Sequence, residues 1–238
     1  MPEVTRFDAA SLRALLSTFR DAVAAHAPVL DLLNVYPVPD GDTGTNMLRT
    51  LDSVVDELDD LAGADGADED LDAVCEAIGH GSLMGARGNS GVILSQILRG
   101  ITTTLRAGSD SDASSASAEI ARALRAGADG AYRAVMAPVE GTILTVARAG
   151  AEAAEAMSAN AGATLVEVAE AARRAADEAL ARTPEMLPAL RDAGVVDAGG
   201  AGLVLLFDSM LHVLTDRPVR EPDLSTRPPD LGDSRSRP

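Results

Sequence analysis

Apolar residues in this chain recur at spacings of three and four, and that rhythm commits it to helices. Leu12, Leu15, Leu16, Phe19 and Val23 fall on one face of a segment that Asp8 can cap, so a first amphipathic helix is predicted to run to about His26 or Pro28. The same spacing predicts further helices over about 45–61, 71–83, from Val92 onward, and over 117–136, 142–157, 164–181, 184–191 and 201–214. Thr164 with Glu167 matches a capping box, and Thr183 ahead of Pro184 places an N-cap before an N1 proline. No stretch shows sustained period-two alternation of β-branched and aromatic residues, so strands are expected to be few or absent. Aromatic residues are only 2% of the chain and Trp is missing, so the 46% hydrophobic content must build a core mostly from Ala, Leu and Val. Small side chains of that kind let helices approach closely.

Charge narrows the function. The net charge is −17, and a surface that negative repels phosphate backbones and anionic headgroups, which argues against nucleic acid and membrane-surface partners. Every basic residue is Arg, so the lysine of a P-loop is unavailable and phosphate chemistry must rely on metal ions, backbone N–H groups and Arg. The lone Cys75 reads as a small buried apolar residue in a cytoplasmic protein. The N-terminus lacks the pattern of a signal peptide, and the most apolar stretch, 195–210, is broken by Asp197, Asp208 and three glycines. A domain over 1–215 is expected, joined by an acidic connector at 62–70 and a low-complexity loop from Gly108, with a disordered tail or linker over 216–238.

Four polar or glycine-rich corners precede predicted helices. In the first, Asp40-Gly41-Asp42-Thr43-Gly44-Thr45-Asn46, two carboxylates sit two residues apart in a turn and can be directed at one point, where a hard cation such as Mg²⁺ would relieve their repulsion. A plain turn and N-cap explain the same residues. In the second, Gly85-Ala86-Arg87-Gly88-Asn89-Ser90-Gly91, free N–H groups at a helix N-terminus offer a phosphate site to which Arg87 adds charge, although glycines that only permit close packing read equally well. The third and fourth corners carry Glu140 and Asp197, for which ordinary capping is the simpler reading. Helix N-termini gathered at one end of a bundle would make that end electropositive in backbone and acidic in side chains, as a magnesium–nucleotide pair requires. His26, His80 and His212 pair with nothing at a metal spacing, and Ser90 lies in no nucleophile elbow.

Taken in order, NVYPVPDGDTGTNM, GSLMGARGNSGVILSQILRG, PVEGTILTVARAG and VVDAGGAGL resemble the N-terminal DhaL-like (dihydroxyacetone kinase L-type) domain of bacterial fatty acid kinases, over about Asp8 to Leu214. The resemblance implies an all-α, antiparallel eight-helix barrel with ATP or ADP at one end, held through two Mg²⁺ ions. It also implies a fatty-acid-binding carrier protein that presents the acyl carboxylate to the γ-phosphate, and it leaves a homodimer open. Carried over, Asp40 and Asp42 bind magnesium; Thr43, Thr45 and Asn46 meet the nucleotide beside them; Gly88, Asn89, Ser90 and Gly91 cradle phosphate, with Arg87 assisting catalysis; Asp197 and Gly199 line the nucleotide end. Dihydroxyacetone kinases place a further Asp five residues before the first loop Asp, where this chain has Val35, and Asn34 is the substitute oxygen ligand. The alternatives are a dihydroxyacetone kinase subunit and a non-catalytic adenine-nucleotide sensor. Fatty acid kinases also continue into a middle region and a partner-binding domain that this sequence does not contain.

Overall fold

A computed structural model describes residues 6–65, 70–108 and 116–222, and contains helices and no strand among them. The eight long helices are α1 (Ala9–Leu33), α2 (Thr43–Asp65), α3 (Leu71–Gly85), α4 (Gly88–Gly108), α5 (Ala116–Ala134), α6 (Ile143–Ser158), α7 (Leu165–Ala181) and α10 (Ala198–Thr215); two short ones, α8 (Thr183–Met186) and α9 (Pro188–Ala193), bridge α7 to α10. Each long helix packs on its predecessor and α10 packs on both α7 and α1, so the ring closes. Successive helices run in opposite directions, which gives the expected all-α, antiparallel barrel. Its interior is filled by Phe19, Met47, Leu51, Leu94, Val146 and Leu203 among others, each almost fully buried.

Small residues set the spacing. Where α4 crosses α5, a Cβ added at Gly100 would stand 2.5 Å from the Ala126 carbonyl oxygen, so the two backbones are in contact there. Cys75 is buried, and burial pushes its thiol up to about 12, which keeps it a protonated apolar group. Helix α10 is long and apolar enough to cross a membrane by composition, but 78% of it is buried inside the barrel. An all-round apolar helix is what a core position demands.

Local capping follows the sequence in several places. Asp8 and Ser11 form a reciprocal box at the head of α1, and Thr164 and Glu167 do the same for α7. Two predictions fail instructively. First, α1 does not stop at Pro28 but continues to Leu33. The proline removes one N–H, yet the extra turn buries Leu30, next to Ala27 of the turn before, against Gly44 of α2, whose missing side chain leaves room for them. Second, Thr183 is not an N-cap. It lies inside α8, donates its hydroxyl to the Leu180 carbonyl at 2.7 Å and accepts the Asp197 N–H at 3.1 Å, while Pro188 divides the expected 184–191 helix in two. The segment from Asp216 to Pro222, expected as part of a disordered tail or linker, is held against α7 and α10. Arg217 pairs with Glu170 at 2.7 Å, and Arg220 reaches Asp177 at 2.9 Å and the buried Asp208, which also binds Arg173. Asp208 faces α7 and needs cations, which the polar segment supplies. Most of the acidic connector, the serine-rich stretch after Gly108 and residues 223–238 lie outside the described residues.

Candidate functional site

Alternation of direction around the ring places the first residues of α2, α4, α6 and α10 at the same end. Contacts tie these starts together. Gly88, the first residue of α4, lies so close to the Asn46 side chain of α2 that a Cβ there would collide with the amide nitrogen. A Cβ at Gly202 of α10 would stand 2.6 Å from the Met47 sulfur of α2, and one at Gly199 would stand 3.2 Å from Ile143, where α6 begins. The four corners singled out by glycine and acid are therefore one surface.

The first corner spans residues 34–42 and contains a cis Tyr36–Pro37 peptide. Gly41 has φ +66°, a left-handed conformation that glycine adopts without Cβ strain, and it turns the chain between Asp40 and Asp42. Asp40 is exposed and accepts a hydrogen bond of 2.7 Å from Asn34 Nδ2. Asn34 is buried and turns its N–H to Asp40, so it fixes the direction of that carboxylate. Asp42 immediately precedes α2, and its carbonyl accepts the Asn46 N–H at 2.8 Å, whereas its carboxylate receives no hydrogen bond from the described residues. Thr43 and Asn46 are buried in the first turn. Thr45 is committed elsewhere: its N–H and hydroxyl both donate to Asp31, at 3.1 and 2.7 Å.

At the second corner the helix begins at Gly88, four residues earlier than its apolar pattern. Gly91 N–H is already donated to the Arg87 carbonyl at 2.9 Å, and Gly91 packs against Thr50, so this glycine serves close packing. The N–H groups of Gly88, Asn89 and Ser90 precede the first intrahelical bond and stand free at the positive end of the α4 dipole. Arg87 is exposed and donates to the Met84 and Ala86 carbonyls at 3.1 and 2.9 Å, so its guanidinium caps the end of α3.

Capping dominates the other two corners. Glu140 holds Arg148 in two bonds of 2.8 and 2.7 Å and accepts from Tyr132 and Thr145. Burial works against its ionisation, but the bonds from Thr145, Arg148 and Tyr132 outweigh it and hold the carboxyl below its usual range. Asp197 is 6% exposed, accepts the Gly200 N–H at 2.7 Å, and is also hydrogen-bonded by the backbone of Ile143. Its carboxylate thus clasps the N-termini of α10 and α6 together, and burial pushes its pKa up to about 6. Gly199 is buried beside it. Both residues lie at the end where α2, α4, α6 and α10 begin, as part of its foundation.

Asp40 and Asp42 are hard oxygen donors on either side of the Gly41 turn, and the amides of Gly88, Asn89 and Ser90 stand at the same end from α4. No group of three or more His, Cys, Asp or Glu side chains shares a point among the described residues. That donor set fits Mg²⁺ arriving with a nucleotide, since this ion is commonly held by one or two carboxylates plus phosphate oxygens and water. The same end is also apolar at its rim. Among the described residues the exposed large hydrophobic side chains are Leu32, Val38, Leu83, Met84, Val92, Met136 and Met186, and each lies in a terminal turn or loop of this end.

The chain belongs to the DAK2 domain family, whose model matches residues 37–212 and so takes in Asp40, Asp42 and the other three corners. This is a kinase-related family of nucleotide-binding domains, in keeping with the DhaL-type motifs. Among individual proteins the chain is similar to protein YloV of Bacillus subtilis, with 43% identity over 197 residues, which are 83% of this chain and 34% of that protein. An uncharacterised protein of Staphylococcus saprophyticus is 39% identical over 211 residues, 89% of this chain and 36% of its own length. One from Staphylococcus haemolyticus is 42% identical over 194 residues, 82% and 33% of the two chains. The chain therefore spans about a third of the length of these relatives.

Proposed function

We propose that this chain is a magnesium-dependent ATP-binding kinase domain that transfers the γ-phosphate of ATP to the carboxylate of a fatty acid presented by a carrier protein. The observation that carries the reading is the meeting, at one end of the barrel, of the Asp40–Asp42 pair with the free amides of Gly88, Asn89 and Ser90. Asp40 and Asp42 would hold two Mg²⁺ ions, which when bound supply charge neutralisation along the phosphates. The α4 amides would orient phosphate oxygens, and the α2 start, with Thr43 and Asn46, would close the site from the opposite side. A carboxylate acceptor needs no general base: its oxygen forms the new bond to phosphorus, the bond from phosphorus to the bridging β–γ oxygen breaks, and ADP leaves. No buried His or Lys is required, in keeping with a chain that has no lysine.

The apolar rim favours an acceptor delivered by a protein over a free polar metabolite such as dihydroxyacetone. Exposed Leu83, Met84 and Met136 around a charged site cost solvation unless something covers them, and a carrier of an acyl chain is such a partner. The decisive experiment is calorimetric titration of ATP with and without Mg²⁺ into the wild type and the Asp40→Ala/Asp42→Ala double variant, followed by hydroxylamine trapping of acyl phosphate with a fatty-acid carrier added. Magnesium-dependent binding lost in the double variant is expected. A folded wild type that binds no ATP would overturn the reading, and binding without transfer in the presence of carrier would assign a nucleotide sensor instead.

A further inference from the structure

The first turn of α2 is capped by a residue of another helix, unlike those of α1, α6, α7 and α10; Asp70 ahead of α3 makes no side-chain cap bond either. Asp8, Thr142, Thr164 and Asp197 each sit at the N-cap of their own helix and turn their own side-chain oxygen onto an amide of the first turn. Asp42 occupies the same position before α2 and is among the residue types best suited to that bond. It does not make it. The amide it would take, Thr45 N–H, is donated instead to Asp31 Oδ1 at 3.1 Å, and the Thr45 hydroxyl closes on Asp31 Oδ2 at 2.7 Å. Asp31 reaches across from the last turn of α1, fourteen residues earlier in the chain.

We infer that Asp31 is a positioning residue that caps α2 in place of Asp42 and thereby keeps the Asp42 carboxylate free for the metal–nucleotide complex. The inference rests on the magnesium reading of Asp40 and Asp42. Without Asp31, the orphan Thr45 amide would draw Asp42 into the ordinary N-cap geometry, and the metal would have to break that bond before binding. A typical N-cap bond is worth about 1 kcal/mol, which at about 1.4 kcal/mol per tenfold makes Mg²⁺-dependent ATP binding about five-fold weaker. Asp31 is not a third metal ligand in this arrangement, because no three acidic side chains converge among the described residues and both of its oxygens are occupied by Thr45.

Two substitutions separate capping from charge. Asp31→Ala removes the acceptor; Asp31→Asn removes the charge but keeps an oxygen for the Thr45 N–H and an amide that the Thr45 hydroxyl can accept. Calorimetry with Mg²⁺ and ATP is expected to show about five-fold weaker binding for Asp31→Ala and nearly wild-type binding for Asp31→Asn. A crystal structure of ligand-free Asp31→Ala is expected to show the Asp42 carboxylate turned onto Thr45 N–H. Asp31→Ser, too short to reach Thr45, replaces the alanine variant should that one lose its helical circular dichroism. Equal weakening by Asn and Ala would overturn the inference in favour of a charge effect, as would an Asp42 that stays turned away from Thr45 in the variant crystal. If the wild type binds no Mg²⁺-ATP the functional proposal falls, and the crystallographic position of Asp42 decides the capping inference by itself.

Discussion

Removing the charge of Asp197 should erase a specific pH dependence of folding. The residue is almost fully buried where α6 and α10 begin, and the two backbone bonds it receives do not compensate for the loss of water, so its pKa rises from 3.8 to about 6. The folded protein therefore holds this proton more tightly than the unfolded chain. The corresponding stability is fully present below pH 3.8 and is lost as pH rises to about 6. At about 1.4 kcal/mol per pH unit the loss amounts to about 3 kcal/mol. Asp197→Asn cannot titrate. It keeps one acceptor oxygen but turns an N–H₂ toward the second amide, a constant penalty of about 1–3 kcal/mol that does not vary with pH. Urea unfolding of both proteins across this range, subtracted at each pH, isolates the titration from every other carboxylate. The wild type should lose about 3 kcal/mol relative to the variant on going from pH 3.8 to above 6. A flat difference, or one of opposite slope, would mean that the two amides outweigh burial and that Asp197 is an ordinary low-pKa cap.

Gly88→Ala puts a Cβ into a left-handed backbone, φ +59°, and against Asn46; it should cost about 1–2 kcal/mol by thermal or urea unfolding and weaken ATP binding. Gly162→Ala, also at positive φ but with open space around it, should cost about as much backbone strain and leave ATP binding unchanged. Arg220→Ala removes one of the two arginines on Asp208, and because Arg173 remains at 2.9 Å the expected loss is about 1–2 kcal/mol instead of the 3–5 typical of an abandoned buried charge. Hydrogen exchange should then show residues 216–222 released from α7.

The features legible in the sequence were those with a local signature. Periodicity located the long helices, and Asp8, Thr164 and Glu167 declared their own caps within a few residues. Glycines before α2, α4, α6 and α10 marked the end where the site forms, since a corner needs a turn wherever it lies in space. Asp31 had no such signature. In the run Leu30-Asp31-Leu32-Leu33 it lies past the expected end of the first helix, and its partner is fourteen positions away. Thr183 failed for the opposite reason: its local pattern was persuasive, but a buried hydroxyl between Leu180 and Asp197 was worth more than a cap. Leu83, Met84 and Val92 continue the periodicity of buried residues and give no sign that they are exposed. The stretch 216–222 has the composition of a linker, and the buried Asp208 on α10, which takes Arg220 alongside Arg173, explains why it stays.

The closed ring also decides where the molecule can be labelled. Because α1 begins and α10 ends at the face opposite Asp40 and Asp42, and α10 rises about 27 Å along its eighteen residues, a fluorophore on the first turn of α1 or the last turn of α10 stands about that far from the Asp40–Asp42 face and should leave it open to a soluble partner.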